Sequence, residues 1–222
     1  MPEIKPHVAI VDYGMGNLFS VKHACEYVGL TAVITSVRQE ILDADAVILP
    51  GVGAFGDAME TLRQLDLVGA LHKVVVSSKP LLGICLGMQL LMSESFEFGH
   101  HSGLGIIPGT VERFEKPIGF NGILKVPQVC WNQMFRIENA PNDPWSDSVL
   151  RGLPDGVFMY FVHSFYVKPA DARFSIAKTR YGDIEFCSAL LYRNVFACQC
   201  HPERSSSQGL QVYRNLATLL NS

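Results

Sequence analysis

The sequence predicts an α/β domain: an open mixed sheet, largely parallel, flanked by helices. Two observations carry this. Through about residue 95, short apolar runs rich in β-branched residues alternate with helix-like stretches, as in parallel strands joined by crossover helices. Beyond that point strand-like runs follow one another closely, which favours antiparallel pairing. Composition agrees, since 222 residues with 48% hydrophobic and 18% charged content support a packed core. One domain over 1–222 is expected.

The elements follow in order. "HVAIVDYG" reads as a buried strand over 7–12, closed by glycine. In "NLFSVKHACEYVG", Leu18, Val21, Ala24, Cys25 and Val28 recur at helical spacing and Gly29 is the stop. "AVIT" and "ADAVILPGVG" give the second and third strands, and 57–76 one or two helices. "KPLLGIC" is a fourth buried strand, followed by a helix over "LGMQLLMSES". Strands are then expected over 109–114, 123–130, 157–168, 174–179, 186–192 and 195–200. "SSSQGLQVYRNLATLLN" closes as a helix with serines suited to capping it. "ENAPNDPWSD", 138–147, is the most loop-like stretch.

Several function classes are disfavoured. Net charge is −3 and no basic block stands out, so no nucleic-acid partner is expected. No signal-like stretch opens the chain, and no run approaches the roughly 20 apolar residues of a membrane span. Cysteines 25, 85, 130, 187, 198 and 200 show no disulfide framework and read as reduced thiols of a cytoplasmic protein.

One cysteine is set apart. "GICLGMQ" frames Cys85 between Gly83 and Gly87 where the fourth strand gives way to a helix. Gly-x-Cys-x-Gly has the form of the Gly-x-Ser-x-Gly nucleophile elbow, a turn so tight that a Cβ at either glycine would clash. Such a turn lifts the sulfur above the sheet edge beside a helix N-terminus, which favours the thiolate. The Leu86 amide, one residue on, becomes a candidate oxyanion donor. A buried core cysteine beside packing glycines is the competing reading.

A base is available in "ACQCHPER". His201 follows an apolar strand, on the strand-end edge where α/β sites gather. Glu203 lies two residues on, across a proline, placed to accept from one ring nitrogen and leave the other for Cys85. The bland alternative is a solvated surface turn. The order Cys, His, Glu differs from the nucleophile–acid–histidine order of α/β-hydrolases.

Together, "PGVGAFGDAM", "GICLGMQLL", "YFVHSFY" and "QCHPERS" resemble the class I glutamine amidotransferases. "VDYGMGNLFSV" and "YFVHSFY" are similar, more narrowly, to the glutaminase subunits of imidazole glycerol phosphate synthases of histidine biosynthesis. The resemblance runs from about residue 8 to 219. It implies the flavodoxin-like class I amidotransferase fold, L-glutamine as substrate, and neither cofactor nor metal. Cys85 would attack the glutamine side-chain amide, with His201 as base and Glu203 orienting it. Val52 and Gly53 of "PGVG" would join Leu86 in the oxyanion hole. Gln89 would contact the glutamine head group, and Ser164 and Phe165 would line the pocket. Ammonia would pass to a (β/α)₈-barrel cyclase/synthase subunit in a heterodimer that makes imidazole glycerol phosphate and AICAR. Asn17, Pro127, Gln128, Trp131, Asn132 and Tyr160 would face that partner.

The chain departs from the family pattern once. Where the family reads Val-Pro-His-Met-Gly-Trp-Asn, this chain reads "VPQVCWN", placing Gln128, Val129 and Cys130 in the middle slots. The change leaves Cys85, His201 and Glu203 untouched, so glutamine hydrolysis is implied more firmly than the synthase's identity. A paralogue feeding ammonia to a sugar-modifying enzyme of surface polysaccharides, a mainly regulatory subunit, and a free-standing cysteine hydrolase are the alternatives. Other features read as decoys. "DYGMGNLF" lacks the third glycine of a dinucleotide fingerprint, since position 19 is Phe. Cys198 and Cys200 beside His201 could bind metal, but core packing is favoured. "GHHSG" reads as a solvated loop, and His163 as supporting structure.

Overall fold

The computed structural model describes residues 5–120, 122–138 and 143–221. Residues 139–142 of the loop expected at 138–147 therefore lie outside the described residues. The first half runs β1 (His7–Val11), α1 (Leu18–Tyr27), β2 (Thr31–Thr35), α2 (Arg38–Asp43), β3 (Ala46–Leu49), α3 (Phe55–Gln64), α4 (Val68–Val76), β4 (Leu81–Ile84) and α5 (Leu86–Leu90). The second runs β5 (Met92–Ser95), β6 (His101–Ser102), β7 (Ile107–Arg113), β8 (Ile118–Gly119), β9 (Gly122–Ile123), β10 (Gln128–Arg136), β11 (Val157–His163), β12 (Phe165–Pro169), β13 (Ser175–Tyr181), β14 (Ile184–Tyr192), β15 (Val195–Cys198) and α6 (Ser206–Leu220).

The sheet is mixed, and its halves divide as the sequence suggests. The order β2–β1–β3–β4–β15 is parallel throughout. These strands carry side chains into both faces, so they are apolar without alternation: Val8 to Val11 and Ala46 to Leu49 are all buried. β14, β12 and β7 continue the sheet antiparallel. β10 and β11 form a ribbon that joins it through β13. Two apolar clusters fill the two faces, one around Trp145, Phe161 and Tyr213, the other around Phe55, Met59 and Leu62.

Some expectations are corrected. The helix over "LGMQLLMSES" stops at Leu90, and Met92–Ser95 is a strand pairing β6 and β7. No glycine or proline stands between the two elements, so nothing in the sequence marks the stop. The strand placed over 123–130 lies instead at Gln128–Arg136, and that over 157–168 breaks at Ser164 into β11 and β12. The capping role of the α6 serines is also overturned: Ser205 makes no cap bond. Its hydroxyl donates to the His201 carbonyl (2.6 Å) and accepts from the Tyr160 amide (2.9 Å). No helix among the described residues is long and apolar enough to cross a membrane.

Candidate active site

The elbow forms at the C-terminal end of β4, between β3 and β15. Cys85 sits at φ 53°, ψ −109°, a backbone conformation that non-glycine residues hold only when their surroundings force it. The surroundings do so from both sides. A Cβ on Gly87 would fall 1.8 Å from the Leu49 carbonyl oxygen of β3. One on Gly83 would meet Leu91 Cδ1 at 2.9 Å and Ala197 Cβ, on β15, at 3.1 Å. The glycines let α5 sit down on the sheet, and Cys85 is the residue squeezed upward. The Cys85 amide is tied to the Cys198 carbonyl at 2.8 Å.

His201 follows the end of β15, the strand beside β4. Its Nδ1 lies 2.8 Å from Glu203 Oε1, and both side chains are almost wholly buried, at 3% and 1% exposure. The solvated-turn reading is therefore excluded. Burial works against the imidazolium, but the neighbouring Cys85 sulfur and then the Glu203 carboxylate outweigh it and raise the His201 pKa. With Nδ1 held by Glu203, Nε2 is left for Cys85, the neighbour that acts on the ring most strongly.

Cys85 opens into a cavity of about 220 Å³ lined also by Val52, Gly53, Leu86, Gln89, Glu97, Pro127, His163, Ser164 and Phe165. The expected oxyanion and substrate residues thus share one pocket with the nucleophile. Two of them are engaged differently from expectation. The Leu86 amide donates to the Gly51 carbonyl at 3.3 Å, so in this conformation it is not a free oxyanion donor. Gln89 is buried, its amide nitrogen bonded to the Phe165 carbonyl (2.9 Å) and Gln199 Oε1 (3.1 Å).

Two further residues belong here that sequence reasoning missed. Gln199 is fully buried and donates to Cys85 Sγ at 3.6 Å. Its only signal is a lone amide inside the apolar "FACQC". Glu97 is the one carboxylate lining the cavity among the described residues. Its Oε2 accepts from the Phe55 amide at 2.6 Å at the start of α3, and burial raises its pKa against the pull of that bond and of His101. A carboxylate there can hold an ammonium group. No sequence pattern around "SFEFG" marks it.

The residues expected to face a partner are sorted by the β10–β11 ribbon. Side chains alternate along each strand. Val129 and Trp131 point outward and are about half exposed, with Trp131 edge-on to Tyr160, their ring centroids 6.2 Å apart. Pro127 is exposed, and Asn17 ends the turn into α1. Asn132 donates to the Arg180 carbonyl. Gln128 is a correction: it is fully buried, so its side chain cannot meet a partner surface. The solvated-loop reading of "GHHSG" is corrected: His101 and Ser102 form β6, paired with β5, and His100 pairs with Glu94 at 2.7 Å. Among the described residues no group of three or more His, Cys, Asp or Glu is placed to hold a metal ion.

A sheet of this order with a cysteine elbow backed by a His–Glu pair defines the class: the chain belongs to the class I glutamine amidotransferases, whose family model matches residues 9–218. Within that class it is similar to the imidazole glycerol phosphate synthase subunit HisH of Sulfurimonas denitrificans, 44% identical over 214 residues, 96% of this chain and 99% of that one. HisH of Geobacter metallireducens is 45% identical over 211 residues, 95% and 97% of the two chains. In fold the chain is similar to the structure of PurLQS from Thermotoga maritima, with a TM-score of 0.73 at 18% identity over 98% of this chain and 100% of that one.

Proposed function

We infer that this protein is the glutaminase subunit of an imidazole glycerol phosphate synthase, hydrolysing L-glutamine to glutamate and ammonia in the cytoplasm. The observation that carries the chemistry is a strained cysteine opening into a small cavity beside a buried His201–Glu203 pair. Identity of 44% and 45% to two HisH chains, over 96% and 95% of this chain, supports the histidine branch over a sugar-modifying paralogue.

The reaction follows from these groups. Glu97 receives the α-ammonium of glutamine, and Ser164 and Phe165 bound the pocket. Cys85 Sγ attacks the side-chain amide carbon as its thiol proton passes to His201 Nε2. The oxyanion that forms is held by Leu86 N–H once Gly51 has turned, with the Val52–Gly53 backbone beside it; one such donor is worth about 2.7–4 kcal/mol. His201 gives its proton to the departing nitrogen, leaving a thioester and ammonia. Water, deprotonated by His201, then releases glutamate, and the proton returns to Cys85 Sγ. Glu203 holds the ring through both proton transfers. Ammonia passes to a (β/α)₈-barrel synthase subunit seated on the face that carries Pro127, Trp131 and Tyr160.

Cys85→Ala tests this in the two-subunit complex. Glutamine-driven turnover disappears while turnover with added ammonium survives. Survival of both would leave the chain a regulatory subunit, and glutamine hydrolysis at full rate by the variant would move the nucleophile elsewhere.

A further inference from the structure

Gln128 is inside the protein, and its amide is poorly served there. Nε2 makes one long contact, to Cys130 Sγ at 3.7 Å, and Oε1 meets no donor among the described residues. An unmet buried group of this kind costs about 1–3 kcal/mol. Directly across the antiparallel ladder stands His163. Facing members of such a pair share one side of the ribbon, with Cβ atoms about 4.5–5.5 Å apart.

His163 has the same deficit. Its Nδ1 lies 2.8 Å from the Phe165 carbonyl oxygen. A carbonyl only accepts, so Nδ1 carries the proton and Nε2 is a lone pair. That lone pair is buried and unpartnered as well. Two orphaned acceptors therefore stand side by side, on residues that are 0% and 6% exposed. His163 also lines the Cys85 cavity, so the pair begins where the leaving nitrogen is set free.

The chemistry of the guest follows. Two acceptors with no matching donor call for a small molecule rich in N–H or O–H. The rings of Phe114, Phe161 and Phe186 close around His163 at 5.1, 5.8 and 5.1 Å between centroids, which leaves little room. Neither residue is charged: burial above all, opposed by the Phe165 bond and helped by His201, brings His163 down to about 4. A carboxylate here would keep the guest as ammonium. Neutral acceptors bind it uncharged, with the nitrogen still able to attack an electrophile.

We propose that Gln128 Oε1 and His163 Nε2 form a relay site for neutral ammonia leaving the Cys85 cavity. This rests on the glutaminase reading above and names the first stop of the nitrogen beyond the cavity. The family's histidine at this position would also present an acceptor, which supplies a control.

The test uses the complete chain in complex with its synthase subunit and follows synthase product formed per glutamate released. Gln128→Met keeps the length of the side chain and removes the amide oxygen. Its transfer ratio is expected to fall about 3- to 10-fold, the effect of one lost hydrogen bond, with free ammonia appearing in the medium. Gln128→His restores the ratio. Added ammonium drives the synthase equally in all three complexes, which shows that assembly is intact. A wild-type ratio in Gln128→Met overturns the proposal, leaving a structural water as the guest. Equal leakage from Gln128→His overturns it too, because packing would then be the cause. A wild-type complex that releases glutamate but forms no product overturns the glutaminase-subunit reading and this site with it.

Discussion

Gly87→Ala is the sharpest test of why the nucleophile stands where it does. The added carbon would sit 1.8 Å from the Leu49 carbonyl oxygen and 2.8 Å from its carbonyl carbon. Real contacts of this kind stop at about 3.0 Å, so α5 must retreat from β3 by about 1.2 Å. The obstacle is backbone in a central strand and cannot swing aside. Cys85 caps α5 and Gln89 lies within it, so both move with the helix. A misplacement of about 1 Å at a reacting group costs about 100-fold in rate, equal to about 2.7 kcal/mol of barrier. Overpacking adds about 1–3 kcal/mol of lost stability. Gly83→Ala is the internal comparison. Its closest obstacle, Leu91 Cδ1 at 2.9 Å, is the end of a side chain that can turn, so the loss should be several-fold smaller. Glutamate release by the two-subunit complex and urea unfolding of each variant report the two effects. The reasoning is refuted if Gly87→Ala matches wild type in both, or if Gly83→Ala proves the more damaging.

Three other outcomes are expected. Glu203→Gln removes a group that raises the His201 pKa. The ring then loses its proton at lower pH, so the alkaline limb of the pH–rate profile for glutamine hydrolysis shifts downward and the rate drops about 10²–10⁴-fold. His163 is held at about 4 when folded, against 6.5 for an unperturbed histidine. Between those values the unfolded chain binds the extra proton, so stability falls as pH drops through that window, by up to about 3 kcal/mol from this residue. Urea midpoints from pH 7 to 4 should show that slope, and His163→Asn should flatten it. Asn215 donates to the Val149 and Arg151 carbonyls, both at 2.8 Å, and Asn215→Ala should cost about 1–3 kcal/mol in chemical unfolding with little change in glutamine turnover.

Much of the site was legible because it is written in adjacency. Gly83, Cys85 and Gly87 declare a tight turn by what glycine lacks, and His201 and Glu203 are two residues apart. The alternation of strands and helices up to β4 was legible for a similar reason, since each βα unit is local. What could not be read depends on pairing between distant strands. Glu97 reaches the pocket only because β5 leaves α5 to join β7, across a boundary that no glycine or proline marks. Gln199 meets Cys85 through the β4–β15 pairing. Gln128 faces inward because the β10–β11 register sets the parity of the whole ribbon, and a shift of one residue would have put it outside. The Leu86–Gly51 bond is a choice of peptide orientation, which no side-chain pattern encodes.

The Ser205 hydroxyl has a mechanical consequence. It accepts from the Tyr160 amide and donates to the His201 carbonyl, while the His201 amide donates to the Tyr160 carbonyl at 2.9 Å. The imidazole-bearing residue is thereby pinned to the backbone of a strand whose outer face holds Tyr160 and, across the ladder, Trp131. Any load that bends this ribbon from outside is delivered to the ring through three short bonds, with no slack segment between them.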